Sequence, residues 1–330
     1  MTEYISTYIT GFGEQIVSRI LKDLSGVKIL GLYDGLIHFQ FFGDFFCLKK
    51  LPYLNNVFYV MKSFKGMFVS YRQMVESVCA SKQKIPITKG TFRLRFSKGN
   101  QFVKVDNNLV KKVEKHILGE SKLKIDRVNP TTEIWFIIRT EGIAFCGQLL
   151  FKRSLTEKNL QKGELRPEFA YLMCLCAELT RNSVVYDPFC GFGSIPKQLV
   201  SHFKPREVLA SDIELDKIVD LKGKLQSKNT ELKLFVSDVL SMNMINDKSI
   251  DVIITDPPWG YFEEIDNIRN FYKNMLKEFL RITKQGSTIV ILSARKQEFL
   301  DACADNEVVV DKQINTLVNG KKATVYIIHI

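Results

Sequence analysis

Through the first 150 or so residues, apolar and polar positions alternate with a period of two more often than 3.6. Residues 4–10 read as a strand, and 11–24 as an amphipathic helix with Ile16, Ile20, Leu21 and Leu24 on one side. Strands are expected at 27–33 and 36–42, joined at Asp34-Gly35, a pair that tolerates the positive φ angles of a tight hairpin. That β-α-β-β order predicts one half of a small α+β layer. A second unit is expected over 57–153. Its helices are read at 68–81 and 107–118, a short basic strand at 91–96, and a hairpin of 133–139 and 143–153 turning at Thr140-Glu141-Gly142.

A polar, charged connector covers 154–166, and Pro167 then stands where a helix can begin. Beyond it the rhythm changes to strand and helix in alternation. Strands are read at 184–187, 208–212, 232–238, 250–256 and 287–293, and helices at 168–179, 194–203, 215–225, 268–282 and 296–303. This alternation predicts a mostly parallel sheet wrapped by helices on both faces. Two further strands, 308–318 and 323–330, flank Asn319-Gly320, so the last strand is expected to run antiparallel. No internal repeat or low-complexity segment interrupts the chain.

Charge divides along the same line. Residues 1–150 hold 22 basic and 12 acidic residues, net +10, whereas 151–330 hold 25 and 24, net +1. Within 82–127 there are thirteen basic residues against four acidic ones. A basic stretch alone can be a solvated face; a basic half beside a neutral half suggests a polyanion-binding module joined to one that acts on the polyanion. At 45% hydrophobic and 25% charged, the 330 residues have the composition of a globular protein of about two domains. No apolar run has the length of a membrane span, and residues 1–10 lack the pattern of a signal peptide. Seven scattered cysteines predict a reduced intracellular protein, placed in the cytoplasm, or in the nucleus if the host has one. His38, His116, His202 and His329 are isolated, and no metal is expected.

Four predicted strands of the second half end in aspartate: Asp187, Asp212, Asp238 and Asp256. Any one alone could simply cap a helix. Together they mark the carboxyl edge of a parallel sheet, where ligands bind at the switch in strand order. The first strand runs into Asp187-Pro188-Phe189-Cys190-Gly191-Phe192-Gly193-Ser194, whose glycines let the backbone turn sharply and approach a bound molecule. Pro196 stands where a dinucleotide fingerprint has its third glycine, which argues for a cofactor without a pyrophosphate. Asp212 is spaced to accept from ribose hydroxyls, and Asp238 from an adenine amino group.

Thr255-Asp256-Pro257-Pro258-Trp259-Gly260 is the sharpest signal. An exocyclic amine on a nucleobase is a poor nucleophile because its lone pair is delocalised into the ring. The Asp256 carboxylate and a proline carbonyl, that of Pro257, can accept its hydrogens and free the lone pair. Trp259 offers a face for the base, and Gly260 leaves room for it.

The glycine loop, Asp212 and the Asp256–Gly260 turn resemble those of class I S-adenosylmethionine-dependent methyltransferases that act on amino groups. More narrowly, the chain is similar to the THUMP-domain RNA guanine-N2 methyltransferases, in the helix start at Glu164-Leu165-Arg166-Pro167 and in Ser194-Ile195-Pro196 as well; Phe192 departs from the small residue usual between the glycines. The resemblance is specific over about 164–294. It implies a ferredoxin-like region at 1–56, a THUMP-like RNA-binding domain at 57–153, a linker at 154–166 and a Rossmann-like catalytic domain at 167–330. It further implies S-adenosylmethionine as cofactor, held by Asp187, Phe189, Gly191, Gly193, Asp212, Ile213, Asp238 and Val239, with Asp256, Pro257 and Trp259 catalytic. Structured RNA would be the substrate, transfer RNA near its acceptor stem, met by Lys89, Arg93, Arg95 and Gly260. A small activating subunit and the oligomeric state stay open.

Several rivals share parts of this pattern. A nicotinamide dehydrogenase would leave the turn unexplained. Gly11-Phe12-Gly13 imitates a nucleotide loop, but the Asp34-Gly35 hairpin breaks the β-α-β order. Cys190 lies in the cofactor loop rather than the base turn, which argues against a cysteine nucleophile. Adenine-N6 methylation of RNA or DNA, guanine-N2 methylation of ribosomal or small nuclear RNA, and an RNA-binding scaffold that has lost activity are the remaining alternatives.

Overall fold

The computed structural model describes residues 2–66, 68–153, 160–161, 163–260 and 265–330. The expected linker at 154–166 therefore lies partly outside the described residues. The chain divides into two compact units, Met1–Tyr8 with Ile16–Ser154, and Ile9–Gln15 with Leu155–Ile330.

The first unit contains β1 (Thr2–Thr7), most of α1 (Gly13–Asp23), β2 (Lys28–Tyr33), β3 (Leu36–Phe41), β4 (Val57–Lys65), α2 (Tyr71–Cys79) and β5 (Lys89–Lys98). It continues with β6 (Gln101–Phe102), α3 (Asn107–Glu120), β7 (Lys122–Ile125), β8 (Thr132–Ile138) and β9 (Ile143–Phe151). The strands form one sheet in the order β2-β3-β1-β4-β9-β8-β5-β6, with β7 beside β5. The sheet runs on across residue 56, since β4 pairs antiparallel with both β1 and β9. Register shifts at Val57/Phe58 and Val60/Lys62 interrupt the period-two pattern of β4, which hid it in the sequence. Helices α2 and α3 cover the β5–β8 end through Met74, Val78, Val113 and Ile117, packed on Phe92, Phe96 and Phe136. A capping box of Ser70 and Gln73 starts α2.

The second unit runs α4 (Pro167–Leu175), β10 (Val184–Asp187), α5 (Ser194–Gln198), β11 (Glu207–Asp212), α6 (Leu215–Lys224), β12 (Glu231–Val236) and β13 (Ile250–Thr255). It ends with α7 (Ile268–Ile282), β14 (Thr283–Ser293), α8 (Lys296–Asp305), β15 (Lys312–Val318) and β16 (Lys321–His329). The strand order is β12-β11-β10-β13-β14-β16-β15, parallel from β12 to β14, with β16 antiparallel to both neighbours. The Rossmann-like sheet with its reversed last strand is therefore present. The order switches at β10, which lies between β11 and β13.

Buried Tyr272, Met275, Leu276, Phe279 and Ile282 recur at helical spacing and set α7 against this sheet. Ile9–Gln15 belongs here too. Thr316 donates to the Thr10 carbonyl at 2.9 Å, Lys312 reaches Glu14 at 2.6 Å, and Phe12 meets the Phe169 ring edge-on. Gly11 has φ +89°, and a Cβ there would stand 2.2 Å from the Asn315 carbonyl oxygen. The Gly11-Phe12-Gly13 segment is thus a docking loop. Among the described residues, no helix is long and apolar enough to cross a membrane.

Candidate active site

The carboxyl edge of the second sheet gathers the predicted residues around the switch point. Asp187, the last residue of β10, is 1% exposed. Its Oδ1 accepts from Thr255 Oγ1 at 2.8 Å and from the Phe189 amide at 3.2 Å. Desolvation pushes this carboxyl up to about 7, against a small opposing effect of those hydrogen bonds, and the charge of Asp212 adds to the rise. Asp256 follows β13 directly. It keeps some exposure, yet its dense surroundings raise its carboxyl well above the usual range, and Asp187 acts in the same direction. Among the described residues neither carboxyl forms an ion pair.

The glycine loop is tied to β11. The Cys190 amide donates to the Ser211 carbonyl at 2.9 Å, and the Gly191 amide to Asp212 Oδ2 at 2.9 Å. Gly191 (φ +47°) and Gly193 (φ +80°) occupy the left-handed region. A Cβ on Gly193 would stand 2.3 Å from Leu221 Cδ1, whereas on Gly191 it would meet nothing within 4 Å. Gly193 is favoured by its left-handed backbone, since the end of the Leu221 side chain can shift aside, and Gly191 leaves space above the loop. The Cys190 thiol is buried and pushed well up, which removes it as a nucleophile at neutral pH.

Asp212 ends β11, also accepts the Glu214 amide at 3.1 Å, and lies 3.9 Å from the Lys217 ammonium. Beside it Ile213 is 67% exposed, an apolar surface at a ligand edge. Two expectations need correction here. Asp238 does not end a strand: β12 stops at Val236, and exposed Asp238 turns back to accept the Leu240 amide at 2.9 Å. The Val239 side chain is buried in the core with Met242 and Ile245, so only its backbone can meet a ligand. Phe189 is half-buried, its ring packed against Phe271 of α7 at the core rim.

The Asp256–Trp259 turn is held by residues the sequence did not mark. Trp259 Nε1 donates to Asp256 Oδ1 at 3.0 Å. Tyr272 Oη donates to the Pro258 carbonyl at 3.0 Å, and Arg295 Nε to the Trp259 carbonyl at 2.7 Å. In sequence Tyr272 reads only as one more core position of α7, and Arg295 as a surface charge. Gly260 continues the turn at φ +69°.

In the first unit, Lys89 is exposed and pairs in register with Lys122, while Thr91 pairs with Lys124. The two arginines expected to meet phosphates are differently engaged. Arg93 donates to Glu133 through Nε at 2.7 Å and through Nη2, and to the Arg127 and Val128 carbonyls through Nη1. Arg95 lays its guanidinium over the Phe102 ring at 4.8 Å. Arg93 is thus bonded within the fold while also lining the cavity that Arg95 shares. Arg95 and Arg127 line a cavity of about 480 Å³ with Lys104 and Asn107.

Strand order, glycine loop and edge aspartates together define a class I methyltransferase fold. Residues 197–324 match the model of UPF0020, described as an RMKL-like methyltransferase domain. The chain is 27% identical over 171 residues to the U6 snRNA (guanine-N(2))-methyltransferase THUMPD2 of Bos taurus, covering 51% of this chain and 33% of that protein. It is 28% identical over 202 residues to the tRNA (guanine(6)-N(2))-methyltransferase THUMP3 of Bos taurus, covering 55% of this chain and 39% of that protein. The match thus spans little more than a third of these curated relatives. The crystal structure of TrmN from Thermus thermophilus shares the fold over 100% of this chain and 99% of its own, with TM-score 0.82 and 17% identity.

Proposed function

We propose that this chain transfers a methyl group from S-adenosylmethionine to the exocyclic N2 amine of a guanosine in structured RNA, with transfer RNA near its acceptor stem as the substrate. One observation carries the reading: the Asp-Pro-Pro-Trp turn ends β13 beside the glycine loop that ends β10, on adjoining parallel strands. The residues fit the cofactor. One buried and one partly buried carboxyl, neither in an ion pair among the described residues, favour a cation, Gly191 leaves open space, and exposed Ile213 adjoins the acceptor Asp212.

Asp187, Gly191 and Gly193 would hold the methionine portion, with Phe189 at the rim. Asp212 would accept from the ribose, Ile213 would cover the adenine, and Asp238 with the Val239 backbone would meet its edge. The cofactor supplies a methyl group already activated on sulfonium sulfur. Asp256 must be ionised to accept from the amine, and a positive charge at this edge lowers the cost of that ionisation. The Pro257 carbonyl is the second acceptor, since that of Pro258 already receives the Tyr272 hydroxyl. Trp259 would stack on the base, and Gly260 would leave room for it. No covalent enzyme intermediate is required, and positioning does most of the work.

In this reading, region 57–153 is the THUMP-like RNA-binding domain, 1–56 the ferredoxin-like region, 154–166 the linker and 167–330 the catalytic domain. Exposed Lys89, Lys122 and Lys124, with Lys111, Lys112 and Lys115 of α3, would meet phosphates. The names of the relatives favour guanine over adenine, and the work would be done in the cytoplasm. A second reading, small nuclear RNA in a nucleus, is favoured by the name of THUMPD2.

The test is methyl transfer from labelled cofactor into fractionated host RNA, followed by nucleoside mass spectrometry. N2-methylguanosine in the transfer RNA fraction is expected. The same nucleoside in small nuclear RNA would establish the second reading, methyladenosine would overturn the base, and no label despite cofactor binding would overturn the RNA substrate.

A further inference from the structure

The turn that would carry the target base is fastened from outside by three side chains, from α7, from the end of β14 and from the N-cap of α8. Ser293, buried at the end of β14, accepts the Arg295 amide at 3.0 Å through Oγ. Its hydroxyl lies 3.1 Å from Tyr272 Oη of α7, and Tyr272 Oη lies 3.0 Å from the Pro258 carbonyl. A phenol has one proton, and a carbonyl can only accept. The Tyr272 proton therefore goes to Pro258, and Ser293 donates to Tyr272. The result is a one-way chain from the Arg295 amide through Ser293 and Tyr272 to Pro258. The Arg295 side chain closes it by donating to the next carbonyl, that of Trp259, at 2.7 Å. Burial pushes the Tyr272 phenol far above its ordinary range, so it remains a donor across the working pH range.

Each proline fixes its own φ, but neither can donate an amide proton, so those two residues cannot close the turn by hydrogen bonds of their own amides. With two successive carbonyls drawn toward α7 and the start of α8, Trp259 is held where its indole N–H reaches Asp256 Oδ1 at 3.0 Å. We infer that Tyr272, Ser293 and Arg295 are positioning residues that hold Asp256, Pro257 and Trp259 in the arrangement needed to receive the acceptor base. This inference rests on the function proposed above. Its consequence is specific: loosening the clamp should slow methyl transfer without weakening cofactor binding, because the glycine loop and Asp212 make none of these contacts.

The chain has two tryptophans, so a Trp135→Phe background leaves Trp259 as the sole indole reporter. Tyr272→Phe in that background removes one hydroxyl and keeps the buried ring. The expected result is stronger acrylamide quenching of Trp259 and a kcat about tenfold lower or less. The S-adenosylhomocysteine Kd and the KM for RNA should stay within about twofold. An active parent whose quenching or kcat is unmoved by the substitution would overturn the inference. Should the parent transfer no methyl group, the function proposed above fails, and the quenching alone decides the clamp: a rise upholds it and no change overturns it. If Tyr272→Phe does not fold, Ser293→Ala is read out in the same way.

Discussion

Asp187 is buried and Asp256 partly so, the charge of Asp187 acts on Asp256, and neither carboxyl forms an ion pair among the described residues. Asp187 is raised from 3.8 to about 7, chiefly by desolvation. A folded pKa above the ordinary value means that acid favours the ligand-free fold. That contribution is complete below about pH 4 and is lost as pH rises toward 7. A cationic cofactor reverses the balance, since the proton must leave before the charge is matched. Cofactor affinity should therefore fall from pH 8 to pH 6, approaching about tenfold per unit below 7. Calorimetry in buffers of different ionisation enthalpy should register the released proton. Asp187→Asn, which keeps an acceptor for Thr255, should bind with a flatter pH dependence; a wild-type affinity independent of pH would contradict this account. The sequence showed that these aspartates share an edge. It did not show their burial, because depth depends on packing from strands and helices far away in the chain.

At the level of elements, short signals with one physical cause were the legible ones. The Asp34-Gly35 hairpin, Pro167 at the first turn of α4 and the stripe of α7 all appear where expected. The elements missed depend on distant partners: β4 is disguised by two register shifts, and β7 gains its identity from pairing with β5. Gly11-Phe12-Gly13 shows that a glycine pair after a strand need not face a ligand. Its role yields a direct prediction. Gly11→Ala would press a methyl group against the Asn315 carbonyl in a backbone region alanine avoids, so urea denaturation should show a loss of about 2 kcal/mol or more. A variant as stable as the parent would mean that this close approach is not maintained.

Across the whole molecule, net charge sets a basic first half beside a near-neutral second half, but it does not identify which cations are free. Arg93 and Arg95 stand on a basic strand, and the sequence does not show what faces them. Glu133, at the register position opposite Arg93, takes up Arg93, and the Phe102 ring takes up Arg95. The exposed lysines are better candidates, since a solvated ammonium remains available to a phosphate. Replacing Lys89, Lys122 and Lys124 by glutamine should weaken RNA binding, flatten its salt dependence by up to about one unit of slope per lost contact, and leave cofactor affinity alone. Arg93→Ala should instead lower the thermal midpoint of the first unit. Filter binding over a salt series, with a parallel melt, separates the two effects. Unchanged RNA affinity in the triple-lysine variant would remove this face from the interface.

In the proposed reaction Asp256 and Pro257 act on the N2 amine of guanine. Inosine differs from guanosine only by lacking that amine, so the decisive measurement is methyl transfer to an RNA carrying inosine at the one methylated guanosine. The account predicts no incorporation there and full incorporation into the guanosine RNA. Equal labelling of both RNAs would contradict it.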